Sequence, residues 1–212
     1  MLESVFMGRD SELLPQLFQQ YAPKATIIRD VTASSRRMWK GSKLIGVRFY
    51  DIDPSVCPDV VCAWDNIPDV DNSVDVIVFD PPHLPNHAAS LHSAQGGAKS
   101  MISYGLSRSS SNDEISELFP SFLVEAKRVL NDDGWIFAKI KDYTHNHQYR
   151  FNYGTFISKC FELKLVPYDV IVKRDPCGGN LKSGRWKRHF HVRNVHCFWV
   201  IVRKTKRRES EK

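Results

Sequence analysis

Apolar and polar positions along this chain fall into short blocks separated by acids, prolines and small residues. Leu13, Leu14, Leu17 and Phe18 recur at helical spacing, with Ser11 placed to cap the helix, Pro15 in its first turn and Pro23 beyond its end. Ala25 to Arg29, Ile45 to Tyr50 and Val60 to Ala63 read as three short strands. A fourth, Val74 to Phe79, is the most apolar, and Val76-Ile77-Val78-Phe79 suits a strand covered on both faces. It stops at Asp80-Pro81-Pro82-His83, because proline cannot continue a ladder and holds the preceding residue extended.

Beyond this point lies an irregular, serine-rich and glycine-containing segment, about 84–111, read either as a mobile lid that orders over substrate or as a plain insertion. Asn112 or Asp113 caps the next helix, whose apolar face runs from Ile115 through Phe119, Phe122, Leu123 and Ala126 to Leu130, with a kink expected at Pro120. Asn131-Asp132-Asp133-Gly134 turns the chain into a strand over Trp135 to Ile140. A helix over Phe151 to Phe161 follows, then strands over Leu165 to Val172 and Val195 to Val202. The last two flank a basic loop, about 174–194, with no helical pattern, and are expected to be antiparallel neighbours. Strands alternating with helices predict one α/β domain over 1–203 built on a mostly parallel sheet, with a basic, disordered tail over 204–212.

A chain of 212 residues is long enough for one well-cored domain. No apolar run is long enough to span a bilayer, so no membrane partner is expected. The start has no apolar signal core, and the expected location is cytoplasmic, where five cysteines remain reduced. Cys177, His189, His191, His196 and Cys197 match none of the usual zinc spacings, so no metal is assigned. The net charge of +6 matters mainly through its placement, in a run from Lys173 and Arg174 to Arg193 and a second block at the tail.

Acids stand at the ends of four successive strands: Asp30, Asp51, Asp65 and Asp80. In open α/β sheets ligands bind at the carboxyl ends of strands. Asp51 follows Asp30 at about the twenty-residue distance at which an acid takes ribose hydroxyls in dinucleotide folds. Each acid alone also fits a helix cap or a solvated turn; the series is more specific than any member.

Asp80-Pro81-Pro82 followed by the ring of His83 resembles the Asp-Pro-Pro-aromatic signature of S-adenosylmethionine-dependent methyltransferases that act on exocyclic amino groups of nucleobases. The resemblance covers nearly the whole chain in order. It implies a Rossmann-like class I methyltransferase, with a seven-stranded sheet carrying one antiparallel strand and helices on both faces. It identifies Ile27 to Ser35 with the family's first motif, so that Asp30 holds the cofactor's amino group and Thr32, Ala33 and Ser34 form the turn beneath it. By the same resemblance Asp51 takes the ribose, Ile52 lies against the adenine ring and Asp65 receives the adenine amino group. The family's Gly-x-Gly is replaced by Ala33-Ser34-Ser35-Arg36, so any backbone angle that needs glycine is strained here.

At the transfer corner, an amine conjugated to a ring is a poor nucleophile. The Asp80 carboxylate and the Pro81 carbonyl can accept its hydrogens and aim its lone pair, with Pro82 fixing the backbone. His83 is expected to stack on the base, supplemented by Phe79, Trp64 or Tyr104. In the basic loop, Lys182, Arg185, Lys187, Arg188 and His189 surround Trp186, a pattern that suits phosphate contacts with stacking. The expected partner is nucleic acid, DNA before RNA and adenine before cytosine, with site recognition from this loop, the lid or a second subunit such as a homodimer partner. The rival readings are a ribosomal or transfer RNA amino-methyltransferase, a weakly catalytic pseudo-enzyme that binds nucleic acid, and a protein-amide methyltransferase.

Overall fold

A computed structural model describes residues 2–42, 46–82, 114–145, 147–174, 191 and 194–205. In chain order these form β1 (Val5–Met7), α1 (Asp10–Tyr21), β2 (Ile28–Asp30), β3 (Val47–Asp51), β4 (Val60–Val61) and β5 (Val74–Phe79). After these come α2 (Glu114–Glu117), α3 (Phe119–Val129), β6 (Leu130–Ile140), β7 (Tyr143–His145), β8 (Gln148–Arg150), α4 (Asn152–Glu162), β9 (Val166–Arg174) and β10 (His196–Arg203). The main sheet runs β1-β9-β10-β6-β5-β2-β3-β4, and β7 and β8 pair as a separate hairpin. Among the described strands of the main sheet, only β10 runs antiparallel to its neighbours, β6 and β9.

All seven expected strands are present, and the eighth is β1, which pairs in parallel with β9 at the edge. Its three residues are too few to show a period, and two of them, Val5 and Met7, are exposed. The Asn131 to Gly134 turn lies inside β6, where Asp133 takes a φ of 64° and the pairing with β5 slips.

Side chains alternate across the central strands and divide the core into two layers. Ile77, Phe79, Ile136, Ala138, Val200 and Val202 face α3 and α4, where Phe79 stacks on Phe122 with ring centroids 3.7 Å apart. Val76, Val78, Phe137, Trp199 and Ile201 face α1 and Trp39. Leu13, Leu14, Leu17 and Phe18 of α1 are almost wholly buried there, each worth roughly 1.5–3 kcal/mol gross.

Three local expectations change. Helix α1 begins at Asp10 rather than after Ser11; the Glu12 carboxylate accepts the Arg9 N–H, and Pro15 falls in the second turn. Pro120 does not kink one helix but sits at the second position of α3, after a break at Leu118. There its missing N–H costs little. Among the described residues no α-helix covers the links from β2 to β5, only short 3-10 turns at Arg37–Trp39 and Pro54–Val56. The link into β5 is pinned by polar contacts instead. Arg29 and the Tyr50 hydroxyl both donate to Asp69, and Arg128 donates to the Ile67 and Asp69 carbonyls. At the other end, Lys204 donates to Asn72 and to the Leu130 carbonyl, so the chain is anchored one residue into the expected tail.

Candidate active site

The sheet changes direction between β2 and β5: successive strands run outward from β2 through β3 to β4, then from β5 through β6 on the other side. Two adjacent strand ends whose connections leave in opposite directions open a crevice. A cleft of about 340 Å³ lies there, walled by Thr32, Ala33 and Ser34 after β2, Asp51 at the end of β3, Asp80 to Pro82 after β5, and Lys139 near the end of β6. Arg36, Arg37, Met38 and Asp10 complete its rim.

The turn after β2 resolves the missing glycines. Ser34 and Arg36 take φ values of 42° and 54°, so the left-handed positions carry the spacing of a Gly-x-Gly with side chains in place. Such a conformation costs a non-glycine residue on the order of 1–2 kcal/mol. Local contacts offset it. The Ser34 N–H donates to Asp51 Oδ2 at 2.8 Å, and the Arg36 guanidinium donates to the Cys57 carbonyl at 2.6 Å while lying over the Phe49 ring. Ser34→Gly is expected to stabilise the protein by about 1 kcal/mol, raising the thermal midpoint by roughly 2–4 °C. A lowered midpoint in calorimetry would contradict this account of the turn.

Asp51 is buried and well held, since it also accepts the Asp53 N–H at 2.9 Å. Asp30 differs from expectation. Its carboxyl has no exposed surface and does not wall the cleft. Oδ1 accepts the Thr32 N–H at 3.0 Å, and Oδ2 accepts the Trp39 indole N–H at 2.6 Å. Both Asp30 oxygens thus face donors of the protein rather than the cleft. Thr32 links it to Asp80: its Oγ1 donates to Asp30 and accepts the Asp80 N–H at 2.7 Å. Burial pushes the Asp30 carboxyl up to about 7, against the pull of the Trp39 and Thr32 donors.

The cleft therefore gathers Thr32, Ala33, Ser34, Asp51, Asp80, Pro81 and Pro82 as expected. It does not gather Ile52, which is half-buried away from the lining, or Asp65, which is exposed to solvent. Phe79 and Trp64 are core residues, packed edge-to-face on each other, and cannot stack on a base. His83, Tyr104, the 84–111 segment and Lys182, Arg185, Trp186, Lys187, Arg188 and His189 lie outside the described residues.

Three charged residues meet at this corner that the sequence did not assign to it. Lys139 Nζ lies 3.1 Å from Asp80 Oδ2 and 3.0 Å from Asp10 Oδ2, and Lys173 Nζ lies 3.2 Å from that same Asp10 oxygen. Burial disfavours the Lys139 charge, but the Asp80 and Asp10 carboxylates outweigh it and hold the ammonium well above the ordinary lysine value. Lys173, which reads in the sequence as the start of a basic surface, is 2% exposed.

No protein-family model matches the sequence, and no curated protein matches it. Solved structures do match in fold. A SAM-dependent methyltransferase from Methanosarcina mazei aligns with a TM-score of 0.54 at 11% identity, over 89% of this chain and 97% of its own. The 1,6-didemethyltoxoflavin-N1-methyltransferase of Burkholderia thailandensis, solved with bound 1,6-didemethyltoxoflavin and S-adenosylhomocysteine, aligns at 0.52 and 12% identity over 93% of this chain and 79% of its own. The N-methyltransferase NodS of Bradyrhizobium japonicum aligns at 0.51 and 10% identity, over 93% and 94%. The fold is thus the Rossmann-like one seen in SAM-dependent methyltransferases. Among the described residues no helix is long and apolar enough to cross a membrane.

Proposed function

We propose that this chain is an S-adenosylmethionine-dependent methyltransferase acting on the exocyclic amino group of a nucleobase, with adenine in DNA the preferred target. The observation that carries the reading is Asp80-Pro81-Pro82 on the wall of a strand-end cleft, next to a turn that presents small residues and a buried acid. The residues fit the cofactor. Ala33 and Ser34 leave room for close approach at the turn, and Asp51, fixed by two backbone donors on the cleft wall, is an acid of the kind that takes ribose hydroxyls. Bound S-adenosylmethionine supplies a methyl group on a sulfonium, already electrophilic.

The chain's own residues then position the acceptor. The Asp80 carboxylate and the Pro81 carbonyl accept the two hydrogens of the amine, which localises its lone pair and fixes its direction. The backbone that carries them is rigid: Pro81 and Pro82 restrict it, and Thr32 holds the Asp80 N–H. Once methylated the amine is acidic and loses its proton readily, so no strong base is needed. The preference for an amine on nucleic acid draws on the Asp-Pro-Pro sequence and on the basic aromatic run from Lys182 to His189.

The left-handed Ser34 and Arg36 favour one rival, a pseudo-enzyme with a weakened cofactor turn. Calorimetry with S-adenosylmethionine decides between them: micromolar binding is expected, and no binding by the protein with or without nucleic acid defeats the enzyme reading. Replacing Arg185, Lys187 and Arg188 together by Ala is expected to weaken nucleic-acid binding and to flatten its salt dependence by about 1 in slope per lost phosphate contact. An unchanged slope removes that run from the interface.

A further inference from the structure

Five elements converge on one chain of alternating charge beside the cleft. Asp80 follows β5, Lys139 lies on β6, Asp10 opens α1, and Lys173 lies on β9. Trp199 of β10 donates its indole N–H to Asp10 Oδ1 at 3.0 Å. The sheet register sets this order, pairing Lys139 with Trp199 and Lys173 with Cys197. Lys139 and Lys173 reach Asp10 through the same oxygen, Oδ2, while Trp199 holds the other. Asp10 is therefore fixed from three sides, and it fixes Lys139 in turn.

Stability alone is a poor reason for such a chain. Apolar replacements of buried ion pairs are often neutral or stabilising. The position is informative instead: Asp80, Lys139 and Asp10 all border the cleft, and Asp80 Oδ2, at the exit of the central strand β5, lies 3.1 Å from the Lys139 ammonium. A carboxylate gripped at one oxygen cannot rotate freely, and a neighbouring cation keeps it ionised and so an acceptor. We propose that Lys139 is a positioning residue for Asp80, and that Asp10 acts on Asp80 through Lys139. This rests on the reading of Asp80 as the group that aims the amine.

The test measures labelled-methyl transfer into genomic DNA by Lys139→Gln, Lys139→Arg, Asp10→Asn and the Lys139→Gln/Asp10→Asn double variant, beside wild type. Lys139→Gln is expected to lower kcat by about 100-fold, with KM for DNA and cofactor affinity changed less than about threefold. Lys139→Arg restores activity to within about tenfold of wild type. Asp10→Asn lowers kcat by about tenfold, and the double variant is no worse than Lys139→Gln, because Asp10 acts only through the lysine. A purely structural staple gives additive losses and lowered thermal midpoints without the split between kcat and KM. If Lys139→Gln does not fold, Asp10→Asn, which keeps the lysine, carries the test.

A second arm needs no acceptor: the Asp80 carboxyl is titrated by carbon NMR. Among the described residues the titratable groups around it are Asp30 on β2, Lys139 on β6, Asp10 on α1, Lys173 on β9 and Cys197 on β10. Loss of the lysine charge is expected to raise the Asp80 midpoint by about 1–3 pH units. A wild type that transfers nothing defeats the methyltransferase reading, and the titration still decides whether Lys139 governs Asp80. An unmoved midpoint, or a kcat within about threefold of wild type in both single variants, overturns the proposal.

Discussion

Asp80→Ala is expected to lower methyl transfer by at least about a thousandfold while S-adenosylmethionine still binds within about threefold of wild type. The argument is geometric. Asp80 stands at the exit of a strand with no freedom: β5 is buried on both faces, Phe79 is stacked on Phe122, and Pro81 and Pro82 follow. Its amide is bonded to Thr32, so the side chain is delivered to the cleft from a fixed point. Alanine removes the acceptor and leaves that backbone intact, since the amide bond to Thr32 does not involve the side chain. The cofactor's expected contacts lie on the other wall, at Ala33, Ser34 and Asp51. Asp80→Asn keeps one acceptor oxygen but loses the charge that pairs with Lys139, and should fall between wild type and alanine. Parallel loss of transfer and of cofactor affinity in Asp80→Ala would show that the two walls do not have separate roles.

The second large effect concerns stability and pH. Asp30 is wholly buried and its carboxyl is raised to about 7 in the folded protein, chiefly by burial. A group whose folded pKa lies above its unfolded value binds protons better in the folded state. Its contribution is fully present below the ordinary aspartate value and lost as pH rises through about 7, a window worth on the order of 4 kcal/mol. Chemical unfolding at about pH 5 and pH 8 should show stability falling with pH in wild type and a markedly smaller fall in Asp30→Asn. Asp142 is raised by burial in the same direction, so the difference between the two proteins isolates Asp30. Trp39→Phe should be less stable than wild type, by about 1–3 kcal/mol, because it removes the 2.6 Å donor from a buried oxygen. Equal pH slopes in wild type and Asp30→Asn would contradict this view of the buried acid.

The parts of the fold that are legible in the sequence are those where one local pattern suffices. The β5 run and its proline stop declare a buried strand ending in Asp80, and the helix read over Phe151 to Phe161 and the apolar strand over Val195 to Val202 fall within one residue of the observed α4 and β10. Where local signal is thin, the reading slips. β1 is three residues at an edge, and the β7–β8 hairpin pairs three residues with three. Among the described residues the links between β2 and β5 carry no α-helix, and an Arg29–Asp69–Tyr50 network, assembled from separate elements, ties the last of them to the sheet.

The candidate site divides the same way. A strand-end acid can be found by position, but not which way it faces. Asp51 reaches the cleft wall, Asp65 points to solvent, and Asp30 turns inward to Thr32 and Trp39. Lys139, Asp10 and Lys173 meet only through tertiary structure. In sequence Lys139 is one lysine in an apolar strand and Lys173 one of many cations near the C-terminal end; only the sheet register brings them to Asp10.

The central claim is that Asp80 and Pro81 aim a nucleobase amine at a methyl donor held against Ser34 and Asp51. Its most direct test incubates the protein with labelled S-adenosylmethionine and unmethylated DNA, RNA and protein in parallel, then digests the nucleic acids to nucleosides. The account predicts label in N6-methyladenine from DNA, and none with Asp80→Ala. Label in protein alone, or on a ring nitrogen or carbon rather than an exocyclic amine, would contradict it.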